Sequence, residues 1–132
     1  MLGGCAQVLA SAFQLKFQKL AWGDAEFEAL AEALTWTRSL YSLNICGNEM
    51  GPRGARALAA VLPQCTSLCV IFIDGNGKLG DEGLAAFREV LPRLPSNHQF
   101  YCSRCGTSPE ARKAMSEAYM RAGHKGTFQC RE

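Results

Sequence analysis

The sequence predicts an α/β fold of about four strand–loop–helix units, with a parallel sheet on the inner face and helices outside. Three observations predict it. The chain repeats itself with a period of about 28 residues, each repeat changes from strand-like to helical spacing halfway, and glycine or proline marks each change. One unit cannot bury both of its apolar faces alone, so stacked copies are expected to share one continuous core.

The repeat is clearest between two central stretches, SLYSLNICGNEMG and SLCVIFIDGNGKLG. A shift of 28 residues aligns Leu43 with Ile71 and Asn48 with Asn76. The alignment continues further along the chain after one inserted residue near Lys78. Extended in both directions, this frame divides the chain into repeats at about 12–39, 40–67, 68–96 and 97–123, with a tail at 124–132. The whole chain, 1–132, is therefore predicted to be a single domain.

The first half of each unit is typical of a strand. The segments SLNI and VIFI are short, rich in β-branched or alternating apolar residues, and followed by turn residues. Side chains alternate between the two faces of a strand, which predicts a shared set of core residues. These are Leu43, Ile45, Ile71 and Ile73.

The second half of each unit is typical of a helix, because its apolar residues recur at helical spacing in FEALAEAL, GARALAAVL, GLAAFREVL and ARKAMSEAYM. The predicted starts combine capping residues with proline in the first turn. They are Asp24, Pro52, Asp81 and the pair Ser108-Pro109. Pro63 and Pro92 are expected to end the second and third helices.

Composition excludes several classes of function. The net charge of +2 is too small to indicate nucleic acid or a membrane surface as the partner, and no apolar stretch approaches the roughly 20 residues of a membrane span. No secretory signal is visible, which predicts an intracellular, cytoplasmic protein. The odd cysteine count predicts free thiols in a reducing compartment rather than a disulfide framework. The seven cysteines are Cys5, Cys46, Cys65, Cys69, Cys102, Cys105 and Cys130.

Two segments carry a resemblance to a known family. LYSLNICGN reads L-x-x-L-x-I-x-x-N and LCVIFIDGN reads L-x-x-I-x-I-x-x-N, each followed by spaced glycines. This pattern resembles the leucine-rich repeat of the ribonuclease-inhibitor type. The resemblance implies a short solenoid, or horseshoe, that binds proteins and does not catalyse. It also implies a structural ladder in which Asn48 and Asn76 bond to the backbone, with Cys105 as an accepted substitute.

The outward-facing strand positions predict where a protein partner of unknown identity binds. Exposed aromatic residues with polar neighbours are typical of interaction hot spots. The predicted partner-binding residues are Tyr41, Asn44, Val70, Phe72, Asp74 and Tyr101. Four short strands about 4.8 Å apart present only about 350 Å², whereas a standard interface buries about 800 Å² per partner. Firm binding therefore requires flanking loops or sheet edges, as in a scaffold, a larger assembly or a longer array.

From the sequence alone, three alternatives to a free binding face remain open. The tail can fold back over the aromatic residues. The spacing C-x2-C-x18-H-x5-C, formed by Cys102, Cys105, His124 and Cys130, is acceptable to zinc in a metal-stabilised adaptor. Cys69 beside His98 on the outer face is the only arrangement that suggests a cysteine-dependent enzyme. The repeat frame already assigns Cys102 to the core and Cys105 to the ladder, so neither a metal nor a cofactor nor a catalytic residue is predicted.

Overall fold

The computed structural model describes residues 9–95 and 98–132, and five parallel strands form its sheet in chain order. The strands are β1 (Gln14–Lys16), β2 (Ser42–Asn44), β3 (Val70–Phe72), β4 (Gln99–Tyr101) and β5 (Phe128–Gln129). The pairing register joins Leu15 to Leu43, Leu43 to Ile71 and Ile71 to Phe100. The predicted α/β class with a parallel sheet is therefore confirmed, and the register follows the repeat frame read from the sequence.

Four α-helices connect the strands: α1 (Asp24–Leu34), α2 (Pro52–Val61), α3 (Gly80–Val90) and α4 (Pro109–Arg121). Short 3-10 turns at Leu62–Gln64 and Leu91–Arg93 follow α2 and α3, because the prolines within them remove the donors that would continue an α-helix. Each helix packs against the next one in chain order. The helices therefore form a row that runs alongside the sheet.

Two aspartates link the start of one helix to the start of the next. The Oδ1 of Asp24, at the first residue of α1, accepts bonds of 2.8 Å from the backbone N–H groups of both Gly51 and Gly54. Asp81 in α3 accepts bonds of 2.7 Å from the N–H and the hydroxyl of Ser108, which precedes α4. Helix N-termini carry unsatisfied N–H groups, so each carboxylate caps the helix of the following unit.

The core lies between the sheet and the row of helices. The predicted core residues Leu43, Ile45, Ile71 and Ile73 are each 0% exposed, which confirms that part of the prediction. The two layers meet at Phe87 of α3 and Phe100 of β4, whose rings pack edge to face with centroids 5.5 Å apart. Such contacts, rather than helix propensity, supply most of the stability of helices this short.

Two buried asparagines hold the turns after the strands. The amide nitrogen of Asn76 donates to the carbonyls of Ile45 and Ile73, and its oxygen accepts a bond from the N–H of Met50. Asn48 makes the same kind of bond one unit earlier, to Leu20 and Trp22 among others. In the last unit the Cys105 thiol donates to the carbonyl of Ile73 over 3.3 Å and to that of Ser103 over 3.4 Å. Each side chain thus satisfies backbone groups of its own unit and of the preceding unit.

The segment 124–132, described in the sequence analysis as a tail, contains strand β5. The carbonyls of Thr127, Gln129 and Arg131, in and around β5, accept backbone bonds of 3.0, 2.8 and 2.6 Å from the β4 side of the sheet. The chain end therefore extends the sheet beside β4 instead of folding back over the aromatic residues. None of the helices in the described ranges combines the length and the apolar character that crossing a membrane requires.

Candidate protein-binding face

The face of the sheet away from the helices carries one stacked aromatic pair, and a second exposed pair lies where the strands begin. Phe72 of β3 and Tyr101 of β4 lie opposite each other in the register, with ring centroids 4.8 Å apart and planes 14° from parallel. Phe13 and Tyr41, just before β1 and β2, stack at 5.1 Å and 2°. We call the outer face of the sheet together with the rings at the strand starts the exposed sheet face, and define it by these four rings and the polar side chains near them. Stacked rings present a rigid, amphipathic surface at low entropic cost.

Polar groups on the exposed sheet face are held in place by local hydrogen bonds. The Asn44 side chain accepts a bond of 3.1 Å from the N–H of Cys46, and the Asp74 carboxylate accepts one of 2.6 Å from the N–H of Ser103. The Tyr101 hydroxyl donates to the Gln99 side chain over 3.1 Å. The predicted contact residues Asn44, Asp74 and Tyr101 are therefore oriented before any partner arrives, which lowers the entropic cost of binding.

Val70 is the one predicted contact residue that the structure removes from the surface. It is only 8% exposed, although it lies on the same side of β3 as Phe72. In the register it lies between Ser42 and Gln99, and the larger Phe72 is two residues further on the same side of the strand. Val70 therefore does not form a contact surface.

Phe13 is a candidate contact residue that was not among the predicted ones. Its side chain is 57% exposed, and it covers the ring of Tyr41, which is 38% exposed. The signal was present in the sequence, since Phe13 and Tyr41 are 28 residues apart and occupy the same position of successive units. The exposed aromatic surface thus begins at the first unit and is not confined to the later ones.

His98 was predicted to lie on the outer face beside Cys69, and this is wrong. Its side chain is 0% exposed and lies near Phe100 and His124, with ring centroids 6.1 and 6.4 Å away. The Tyr119 hydroxyl donates to the backbone carbonyl of His98 over 2.7 Å. The side chain of His98 lies on the same inward side of the strand as that of Phe100, two residues later. Helix α4 and the segment after it cover the His98 ring. The Cys–His arrangement that suggested an enzyme is therefore absent from the structure.

Burial of His98 predicts a dependence of stability on pH. Burial, and secondarily the nearby His124, lower the pKa of His98 from 6.5 to about 4. In the described residues neither ring nitrogen has a hydrogen-bond partner, and the backbone of Gln99, which favours the charged form, offsets only a small part of the lowering. Between pH 6.5 and 4, His98 is protonated in the unfolded chain but stays neutral in the folded chain. The free energy of unfolding should therefore fall by about 3 kcal/mol as the pH decreases through this window.

Urea unfolding of the wild type and of His98→Gln between pH 7 and pH 4 measures this contribution. Carboxylates such as Asp81, whose pKa is lowered by its bonds to Ser108, also make the fold less stable in acid. The relevant quantity is therefore the difference in the free energy of unfolding between the two proteins. That difference should shrink as the pH falls, because His98→Gln lacks the titrating ring. Parallel curves for the two proteins would contradict the assignment to His98.

The four residues of the zinc alternative do not assemble. His124 binds the carbonyl of Leu91 through Nε2 over 2.7 Å and lies beside His98, at the start of β4. Cys102 follows the other end of β4, roughly 13 Å away at the rise of a strand. Across residues 9–95 and 98–132, no group of three or more histidine, cysteine or acidic side chains is placed to hold a metal ion. The structure brings together only Cys102 and Cys130 from this set.

Several thiols are held in their protonated form. Burial raises the pKa of Cys65, and burial together with the Asp74 carboxylate raises that of Cys46. Burial raises the pKa of Cys105 to about 12. The thiolate is the nucleophile in cysteine chemistry, so these three side chains are poor candidates for catalysis. Cys5 lies outside the described residues.

Two solved structures resemble this chain in fold. Leiomodin-1 actin-binding site 2 matches with a TM-score of 0.77 and 12% identity, over 99% of this chain and 76% of that one. The tropomodulin C-terminal domain from Caenorhabditis elegans matches with a TM-score of 0.54 and 14% identity, over 92% of each chain. No family model and no curated protein sequence matches the chain. At these identities the likeness concerns the fold alone.

These neighbours correct the family expected from the sequence. The matched structures are domains of leiomodin and tropomodulin, not a leucine-rich repeat protein of the ribonuclease-inhibitor type, and no repeat family is identified. The pattern L-x-x-L-x-I-x-x-N describes a buried strand and the turn after it. It therefore located these elements correctly but did not identify the family, and the horseshoe shape does not follow from it.

Proposed function

We propose that this chain is a non-catalytic protein-binding module that holds its partner on the exposed sheet face and the loops around it. The observation that carries the proposal is the presence of two stacked aromatic pairs, Phe13–Tyr41 where the strands begin and Phe72–Tyr101 on the outer face of the sheet. Exposed apolar surface costs free energy in a monomer, and rigid aromatic residues are the commonest anchors of protein interfaces. The repeated units serve as the scaffold that fixes the spacing of these anchors.

The size of the face limits how such a module binds. At about 350 Å² the sheet supplies less than half of a standard interface. The remainder must come from neighbouring surface, and the turns after the strands are the nearest source. Two exposed charges there, Glu49 and Lys78, already form an ion pair of 2.8 Å across adjacent units, so this rim is structured. A partner that covers both face and rim would reach the usual interface area.

Actin is the first partner to test. The similar domain of leiomodin-1 is named as an actin-binding site, and a shared fold makes the corresponding partner a reasonable starting point, although fold alone does not fix function. The intracellular location predicted from the sequence agrees with such a partner. Actin is thus proposed on fold likeness, while the face is proposed on the geometry of this chain.

Binding to filamentous actin by cosedimentation, and to monomeric actin by fluorescence anisotropy, tests both parts. Phe72→Ala and Tyr101→Ala should each weaken binding by roughly tenfold or more, as expected for aromatic anchors at the centre of an interface. Thermal unfolding should show that both variants stay folded. The matched control is Met120→Ala, which removes a side chain that is 66% exposed on α4 and should leave binding unchanged.

Two results would count against the proposal in different ways. Failure of the wild type to bind either form of actin would remove actin as the partner. Undiminished actin binding by a Phe72→Ala/Tyr101→Ala double variant, together with loss of binding in Met120→Ala, would move the site to the helices. A folded double variant that has lost binding supports the exposed sheet face.

A further inference from the structure

Cys102 and Cys130 face each other across the last two strands of the sheet. The register pairs Phe100 with Phe128 and Tyr101 with Gln129, and the next backbone bond runs from the N–H of Cys102 to the carbonyl of Gln129 over 2.8 Å. The bond from Arg104 to Arg131 continues the same ladder. Cys102 and Cys130 are therefore the next opposed pair, and both point to the side of Phe100 and Phe128.

The geometry points to these two cysteines as a reversible disulfide-forming site whose substrates are small-molecule disulfides such as oxidised glutathione. Neighbouring strands lie about 4.8 Å apart, within the Cα separation of about 4.4–6.8 Å that a disulfide requires. The Cys130 thiol donates to the carbonyl oxygen of Cys102 over 3.5 Å, so its sulfur already lies beside its proposed partner. Closing the bond therefore needs rotation of side chains and not movement of the backbone.

The two thiols differ in the way that a nucleophile and a resolving cysteine differ. Cys130 is half-buried, and its pKa is lowered chiefly by the neighbouring Cys102 thiol, with help from Arg112. Cys102 is 0% exposed, and the Cys130 thiol together with burial raises its pKa. A dissolved disulfide thus reaches Cys130 first, and the thiolate is the species that attacks.

Cys105 is not a competing partner, although the spacing C-x-x-C suggests it. Its sulfur points towards the carbonyl of Ile73 in the previous unit, at 3.3 Å, where it occupies the position that Asn76 occupies one unit earlier. Reaching Cys102 would cost this bond and the bond from the Cys105 thiol to the carbonyl of Ser103 over 3.4 Å. The sheet register, and not the local sequence spacing, therefore selects the pair.

The proposed oxidation runs in two exchange steps. The Cys130 thiolate attacks one sulfur of oxidised glutathione, which forms a mixed disulfide and releases one glutathione thiolate. Cys102 then gives up its proton, and its sulfur attacks the Cys130 sulfur, which releases the second glutathione. The protein loses two protons and two electrons, and the glutathione disulfide gains them to become two glutathione thiols. Excess reduced glutathione reverses both steps.

The new bond would fix the end of the chain. Strand β5 is two residues long and is held by a few backbone bonds, so it belongs to the part of the fold that opens most readily. A disulfide between residues 28 positions apart would tie it covalently to β4. Amide hydrogen exchange in β5 should then slow by roughly 100-fold, as expected for a cross-link closing a loop of this length.

The test equilibrates the full chain in buffers of reduced and oxidised glutathione, quenches with acid, blocks free thiols and maps the peptides by mass spectrometry. The wild type should yield one intramolecular disulfide, Cys102–Cys130, and slowed exchange in β5. Cys102→Ala should stop at glutathione on Cys130, and Cys130→Ser should leave Cys102 reduced. Cys69→Ser, the control, removes another half-buried thiol and should still form the disulfide.

Three outcomes would overturn the assignment: a disulfide between Cys102 and Cys105, glutathione on Cys46 or Cys69 with none on Cys130, or a wild type that retains the mixed disulfide without resolving it. If Cys102→Ala fails to fold, the mapped disulfide of the wild type and its absence from Cys130→Ser decide the question. Actin binding takes no part in this experiment, so its result is independent of the proposed function.

Discussion

Replacing Asn76 by alanine should lower the free energy of unfolding by about 4 kcal/mol, because three hydrogen bonds to buried backbone are lost at once and the N–H of Met50 is left without its acceptor. The carbonyls of Ile45 and Ile73 lose a donor, and the N–H of Met50 loses an acceptor. The residue is 0% exposed, so water does not replace these bonds while the fold stays closed. Urea unfolding followed by circular dichroism measures the change.

Two further variants separate the hydrogen bonds from the volume of the side chain. Asn76→Asp keeps the shape and the acceptor but places a carboxylate oxygen against two carbonyl oxygens, so it should be at least as unstable as Asn76→Ala. Asn44→Ala removes a half-buried asparagine with one local bond to Cys46 and should cost less than about 1 kcal/mol. A stable Asn76→Asp variant would show that the amide donors do not hold the turn.

Phe87→Ala should also cost about 4 kcal/mol, the range seen when a buried aromatic ring is removed from a core. Phe87 is 0% exposed and joins α3 to the sheet through its edge-to-face contact with Phe100. Its loss leaves a cavity between two layers that are fixed by backbone hydrogen bonds on one side and by neighbouring helices on the other. Thermal and urea unfolding both report the change.

The matched control for Phe87 is Met120→Ala, because Met120 is 66% exposed on α4 and its removal should change stability by less than about 0.5 kcal/mol. Adding Phe100→Ala in a double-mutant cycle should give a smaller loss than the sum of the two single variants, since the rings share one contact. Strict additivity would mean that the two rings do not interact.

Much of the fold could be predicted because its signals are local and repeated. The positions of Leu43 and Ile71, the helix starts at Asp24 and Pro52, and the register between strands all follow from one spacing that occurs several times in the chain. Each copy supports the interpretation of the others. The core was predicted for the same reason, since alternation within a strand requires no knowledge of distant residues.

The misses depend on contacts that no local pattern contains. Strand β5 has two residues and no alternation, so only the backbone of β4 shows that it is a strand. His98 is buried by residues after α4, and Val70 is buried although it alternates with core residues. The pairing of Cys102 with Cys130 follows from β5 and was invisible for the same reason. Of the candidate site, the contact role of Tyr41, Phe72 and Tyr101 stays a prediction; the spacing of 28 residues also marks Phe13, but the stacking of the rings is visible only in the structure.

Asp24 and Asp81 alternate with Pro52 and Pro109 at equivalent helix starts, so the contacts between helix starts join the units in pairs. Each carboxylate accepts hydrogen bonds at the start of the proline-initiated helix that follows it. The repeating element of these contacts is therefore a pair of units, one with the aspartate and the next with the proline. Adding or removing an even number of units would preserve every contact between an aspartate and the following helix, whereas an odd number would break one of these contacts.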